Sequence, residues 1–243
     1  MPTGVIINSL SIVLGGIFGA LLGHKLSHRL KTEITLIFGI CAMAMGINAI
    51  GLMENMPAVI FSIIIGTIVG LSLHFSDWIN KGAILMQKPI AKIFKNNGSD
   101  LSSEEEFQST LITIIVLFCA SGTGIYGSLT SGMTGDNGVL ISKSILDFFT
   151  AAIFACNLGY VVSVIAIPQF VIFFILFLSA KFIFPLTTPA MINDFKACGG
   201  FLMIATGFRM IKVKEFPIAD MIPAMVIVMP ISWLWVNYIM TVI

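Results

Sequence analysis

Seven or eight stretches of this 243-residue chain, each close to twenty residues long and almost free of charge, constrain its fold more than any motif does. An apolar run of about twenty residues, coiled as a helix, spans the ~30 Å hydrocarbon layer of a bilayer. Lipid offers no hydrogen bonds to an open backbone, so only helices and closed barrels cross it. The runs here are continuous and do not alternate at every second residue, which excludes a barrel. Hydrophobic residues make up 57% of the chain and charged residues 10%, against roughly a quarter charged in a soluble domain. The expected fold is all-α: a polytopic membrane protein with seven to eight transmembrane helices, one integral membrane domain over 1–243.

The expected spans are 2–23, 34–53, 57–75, 107–129, 139–166, 169–184, 195–211 and 218–243. The fifth is long and the sixth short, with Pro168 and Pro185 placed to start or bend helices. The first lacks a basic leader and a small-residue cleavage site, so it reads as a retained helix. Ten of the thirteen Lys and Arg residues, in the groups Lys25, Arg29, Lys31; Lys81, Lys88, Lys92, Lys95; and Arg209, Lys212, Lys214, fall in loops that eight spans place on one side. The positive-inside rule makes that side the cytoplasm of a bacterial inner membrane, with both termini outside.

Segment 76–108 is the longest hydrophilic stretch and reads as a cytoplasmic amphipathic linker. Its lysines share a helical face opposite Ile79, Met86, Ile90 and Ile93. Such a helix lies in the headgroup layer with its lysines toward anionic lipid, or it is a solvated linker kinked at Pro89. The stretch 96–100 reads as a turn, and Ser103 with Glu106 as a capping box for the fourth span.

Cys41, Cys119, Cys156 and Cys198 stand far apart inside apolar spans, which suits small core residues. His24 and His28 share a face beside Lys25 and Arg29, an interfacial basic patch more than a metal site. No catalytic motif, phosphate loop or acid-rich metal cluster is present, so the chain reads as neither an enzyme nor a cofactor or nucleic-acid binder.

Gly15, Gly19 and Gly23 recur every fourth residue, as do Gly66 and Gly70, a signature of close helix packing that also suits a homodimer. At an offset of 161, Gly39, Ala44, Gly46, Ile50 and Glu54 fall on Gly200, Ala205, Gly207, Ile211 and Glu215. In the eight-span orientation this would be an inverted repeat, spans 1–3 against 6–8, of the kind found in secondary transporters.

Between 121 and 147 glycine, hydroxyl and charge are densest, and broken or re-entrant helices are expected there. Six glycines oppose a regular helix through 121–138, and Ser121, Thr123, Gly124 and Ser128 offer hydroxyls and backbone for an ion or small polar solute. A plain outer loop over 130–138 is the alternative. Lys143 and Asp147, four residues apart, share a helix face and can pair; at membrane depth such a pair is a functional candidate, though it can also serve only to dock the helix. Asn8, Asn157 and Gln169 add polar groups within apolar spans, as ligands or as interhelical glue.

Three stretches, 4–26, 126–155 and 199–224, resemble the bacterial integral-membrane family known as domain of unknown function 554, and the resemblance covers nearly the whole chain. Gly127, Gly132, Gly135, Asp136, Lys143 and Asp147 match the family's most specific pattern, whereas Asn157-Leu158-Gly159 is a more polar approach to glycine than the family shows. The resemblance implies a multi-span inner-membrane protein, often described as a transporter, with no established substrate.

Together these readings point to a secondary transporter of an ion or small polar solute. Asp147 would be the coupling carboxylate, Lys143 its partner, and Asn8, Ser121, Thr123, Gly124, Ser128, Asp136, Asn157 and Gln169 the surrounding ligands. Membrane lipid is the expected partner. A channel or a non-transporting oligomeric scaffold is the alternative.

Overall fold

Along the first helix Asn8 and Ser9 turn inward beside Val5 and Ile12, while the outward face is large and apolar, a partial inversion of a helix in water. Asn8 is fully buried while Leu10 and Leu14 are 53% and 58% exposed. That inversion is stable only where the surroundings are apolar. The computed structural model describes residues 1–22, 27–93 and 104–240. They form α1 (Thr3–Leu22), α2 (His28–Ile50), α3 (Met56–Ser72), α4 (Phe75–Ile93), α5 (Glu104–Cys119), α6 (Gly122–Thr134), α7 (Gly138–Leu158), the short α8 (Val161–Val164), α9 (Ala166–Ile183), α10 (Pro189–Met210), the short α11 (Ile218–Met221) and α12 (Pro223–Leu234). A 3-10 turn at Phe184–Leu186 follows α9, and a π-helical turn at Trp235–Ile239 follows α12. No strand occurs among the described residues.

Among these residues six apolar helical stretches are long enough to cross a bilayer, and a seventh if α3 and α4, bent by 61°, form one broken span. Helix α10, expected as the span 195–211, begins earlier and is long enough at 22 residues. Its Asn193, Asp194 and Lys196 make it less apolar than the others.

Several expectations are corrected. The fourth span is interrupted at Ala120 and Ser121. The fifth ends at Leu158 instead of running to 166, because Gly159 adopts φ 71°, ψ −154°, a conformation closed to side-chain-bearing residues. Pro168 falls in the first turn of α9, where its missing N–H costs no helical bond, so α9 is a full 18-residue helix. The 121–138 region is mostly regular: α6 runs through Gly122, Gly124 and Gly127. Those glycines serve contact, not unwinding. A Cβ at Gly124 would come within 2.0 Å of the Phe173 ring and one at Gly127 within 2.9 Å of Leu140. Within 121–138 it is Gly135, at φ 76°, that ends a helix through its backbone. Cys119 and Cys198 are buried as expected, but Cys41 is exposed. Gly23, His24, Lys25, Lys95, the 96–100 turn and Ser103 lie outside the described residues, as do the side chains of His28 and Glu106.

The chain forms two compact units. The first comprises 1–35 and 78–179. In it α1 runs parallel to α7 with almost no gap: a Cβ at Gly15 would lie 2.2 Å from the Phe148 carbonyl oxygen, and one at Gly19 2.0 Å from that of Ala152. Short helix α8 closes on the same face, with Ser163 against Gly16 and donating to the Val13 carbonyl. Around this contact Phe107, Leu111, Ile114, Ile115 and Phe118 of α5 join Ile12, Ala151, Ala155 and Ile165 in an apolar core, to which α4 adds Ala83 and Ile90.

The second unit comprises 36–77 and 180–243. The glycines of the offset-161 pattern meet here face to face. A Cβ at Gly46 would lie 2.6 Å from the Gly200 carbonyl oxygen and one at Gly200 2.6 Å from that of Gly46, with Gly39 and Gly207 opposed in the same way. Gly66 and Gly70 of α3 pack on Ala224 and Asp220. The glycine faces of both units are thus occupied within the chain.

Candidate functional site

Helix α7 is 21 residues long and Asp147 is its tenth, so a straight crossing would place the carboxylate near mid-helix. Lys143, one turn earlier, donates to Asp147 Oδ2, and the two residues are only 4% and 7% exposed. The pair is a salt bridge within one helix turn. Its lysine Nζ lies 6.0 Å from the ring centres of both Phe118 and Phe173, which wall it from α5 and α9. Ammonium over an aromatic face gains from the ring quadrupole, most where water is excluded.

Three further residues extend from the same carboxylate as a hydrogen-bonded chain. Asn8 of α1 donates its amide to Asp147 Oδ2 at 2.8 Å. Its own carbonyl accepts from the Gln169 amide at 2.5 Å, and the Gln169 carbonyl accepts from the Ser9 hydroxyl at 2.7 Å. Every donor in this chain points toward Asp147, so each bond polarises the next and the negative charge is stabilised over three helices. Asn8 and Gln169 are fully buried. The sequence identified Lys143 and Asp147 as a pair and Asn8 and Gln169 as polar groups in other spans; the fold brings the four together. Ser9, Phe118 and Phe173 were not identified from sequence, and only the i, i+1 adjacency of Ser9 to Asn8 could have drawn attention to it.

The other expected site residues stand apart. Ser121 caps α6 by accepting from the Gly124 amide at 3.2 Å. Ser128 is buried and donates its hydroxyl to the Gly124 carbonyl, and Thr123 is buried nearby on the same helix. Asp136 is exposed and accepts from the Gly138 amide in the turn before α7; eleven residues separate it from Asp147, about 16 Å along a helix. Asn157 is exposed near the other end of α7. In place of Asp136, the turn uses Asn137, whose Oδ1 accepts from the Gly4 amide and the Ser131 hydroxyl and so fixes the start of α1.

The second unit holds a comparable clasp that the sequence did not reveal. Asp194 of α10 is fully buried. Its Oδ1 accepts the backbone amides of Glu54 and Asn55, each at 2.9 Å; its Oδ2 accepts the Asn55 amide side chain at 2.8 Å and the Ser232 hydroxyl at 2.7 Å. This carboxylate caps the N-terminus of α3, where the helix dipole favours negative charge. Asn55 and Asp194 are 139 positions apart, the same separation as Asn8 and Asp147. Both aspartates precede a phenylalanine, Phe148 and Phe195. Both units also set a four-residue helix, α8 or α11, against the glycines of the asparagine-side helix. What differs is the partner set. Asp194 is held by four neutral donors, whereas Asp147 accepts from one charged donor, Lys143, and one neutral donor, Asn8. No group of three or more metal-ligating side chains occurs among the described residues.

Residues 3–233 match the family described as protein of unknown function DUF554. The chain belongs to that family. It is 42% identical over 235 residues to "Uncharacterized protein YqgA" of Escherichia coli K12, covering 97% of this chain and 98% of that protein. It is 23% identical over 232 residues to "Uncharacterized membrane protein YdfK" of Bacillus subtilis 168, covering 92% and 93%. No solved structure matches this DUF554 chain. The membrane relative and the apolar helices agree that the family's fold is that of a membrane protein.

Proposed function

We propose that the protein is a secondary transporter of a cation or small polar solute, working by alternating access through the Lys143–Asp147 pair in a bacterial cytoplasmic membrane. The observation that carries this reading is a buried ion pair near the middle of a membrane-length helix, its carboxylate terminating a one-way hydrogen-bond chain. Ionisable groups at membrane depth are costly, and proteins keep them for ion and proton pathways. A cation or a proton reaching Asp147 replaces the lysine ammonium; Asn8 and Gln169 hold the carboxylate in place while the exchange occurs. In this reading the lysine head, held by Asp147 between the Phe118 and Phe173 rings, leaves the carboxylate when the incoming cation or proton takes its place.

The test is flux. Purified protein in liposomes, screened with cations, protons and small organic solutes, should show saturable uptake that Asp147→Asn removes. Because a lone buried ammonium destabilises, the neutral double change Lys143→Met with Asp147→Asn is assayed beside it. Parental flux in either variant ends the coupling role. For orientation, cysteines at Asp136 and Lys214, both exposed, should be labelled from opposite faces, Asp136 from outside.

A further inference from the structure

We propose that α4 is a docking surface for anionic phospholipid, and that it lies along the inner face of the bilayer with a mixed lysine and apolar stripe. Five residues at alternating spacings of three and four, Trp78, Lys81, Leu85, Lys88 and Lys92, form one face of this helix and all are exposed, Trp78 by 69% and Leu85 by 67%. The opposite face is buried: Ala83, Gln87 and Ile90 are at most 6% exposed, and Met86 and Ala91 pack on the same core as Phe107 and Leu111. The outer stripe is therefore not waiting for the rest of its own unit to cover it.

Its chemistry selects the occupant. Three lysines against the single Asp77 give the helix an excess of positive charge, and tryptophan prefers the level of the headgroups. Lys81 Nζ sits 5.7 Å from the centre of the Trp78 ring, so ring and ammonium are presented at the same depth. Leu85, between Lys81 and Lys88 on this face, gives acyl chains an apolar foothold while the lysine stems extend to phosphate. The start of α4 is fixed by the Ser76 amide donating to Asp220 at 2.8 Å.

Trp78 can report this directly. The chain has three tryptophans, and Trp233→Phe with Trp235→Phe leaves Trp78 alone. In this full-length background, reconstituted in phosphatidylcholine vesicles, brominated phosphatidylglycerol should quench Trp78 more than the same fraction of brominated phosphatidylcholine. That preference should fall on the order of ten-fold in Lys81→Gln/Lys88→Gln/Lys92→Gln, return with arginine at the three positions, and weaken in high salt. Equal quenching by the two lipids in the parent would overturn the proposal, as would an unchanged preference in the glutamine variant. Absence of quenching by either lipid would place α4 in water and overturn it as well.

Discussion

Asn8 on α1 donates to Asp147 Oδ2 on α7 at 2.8 Å, sharing that oxygen with Lys143. Because α1 and α7 touch backbone to backbone a few turns further on, the asparagine cannot follow the carboxylate if the helices part. Asn8→Ala is therefore expected to keep the Lys143–Asp147 pair but loosen its position. A charge-assisted bond contributes about 1.5–3 kcal/mol, so thermal unfolding in detergent should fall clearly, and flux in liposomes should drop without being abolished.

Removing one partner of the ion pair leaves an uncompensated buried charge, which costs about 3–5 kcal/mol. Lys143→Met alone should lower unfolding stability by that order. Combining it with Asp147→Asn should restore most of the loss. A double-mutant cycle measured by denaturation checks this, and additive losses would deny the coupling.

At Gly19 even a methyl group meets the Ala152 carbonyl oxygen at 2.0 Å, while at Gly82 it meets nothing within 4 Å. Gly19→Ala should destabilise by about 1–3 kcal/mol through forced separation of α1 and α7. Gly82→Ala, in the middle of α4, should instead stabilise by up to about 1 kcal/mol through helix propensity. Paired melting curves separate close packing from backbone entropy.

Asp194 is predicted to be structural. Asp194→Ala orphans the Glu54 and Asn55 amides at the head of α3 and should cost about 3 kcal/mol, as the buried Asn55 amides and the Ser232 hydroxyl lose their acceptor. Asp194→Asn retains part of the clasp, and whatever folded protein remains should transport at the parental rate. Selective loss of flux in folded Asp194→Asn would show that the second carboxylate also takes part.

The Lys143–Asp147 pair was legible because both residues lie on one helix, where a spacing of four fixes their contact. Its completion was not, since Asn8 and Gln169 reach it from positions 139 and 161 residues apart in pairs that only tertiary packing determines. The glycines were read in the wrong sense at 122–127. Taken locally each disfavours a helix by about 1 kcal/mol, but at 124 and 127 the approach of Phe173 and Leu140 leaves no room for a side chain. Asp194 was assigned to a loop because the expected span began at 195, yet Thr188 and Pro189 immediately upstream are a helix start: Thr188 caps the Met191 amide and proline occupies the first turn.

The two asparagine–aspartate clasps, each spanning 139 positions, provide this polypeptide with an internal control. Vibrational bands or isotope shifts from Asp194 record how a clamped carboxylate responds to temperature, solvent exchange and added solute when no lysine competes for it. Subtracting that response from the Asp147 signal isolates the influence of one ammonium group within a single sample.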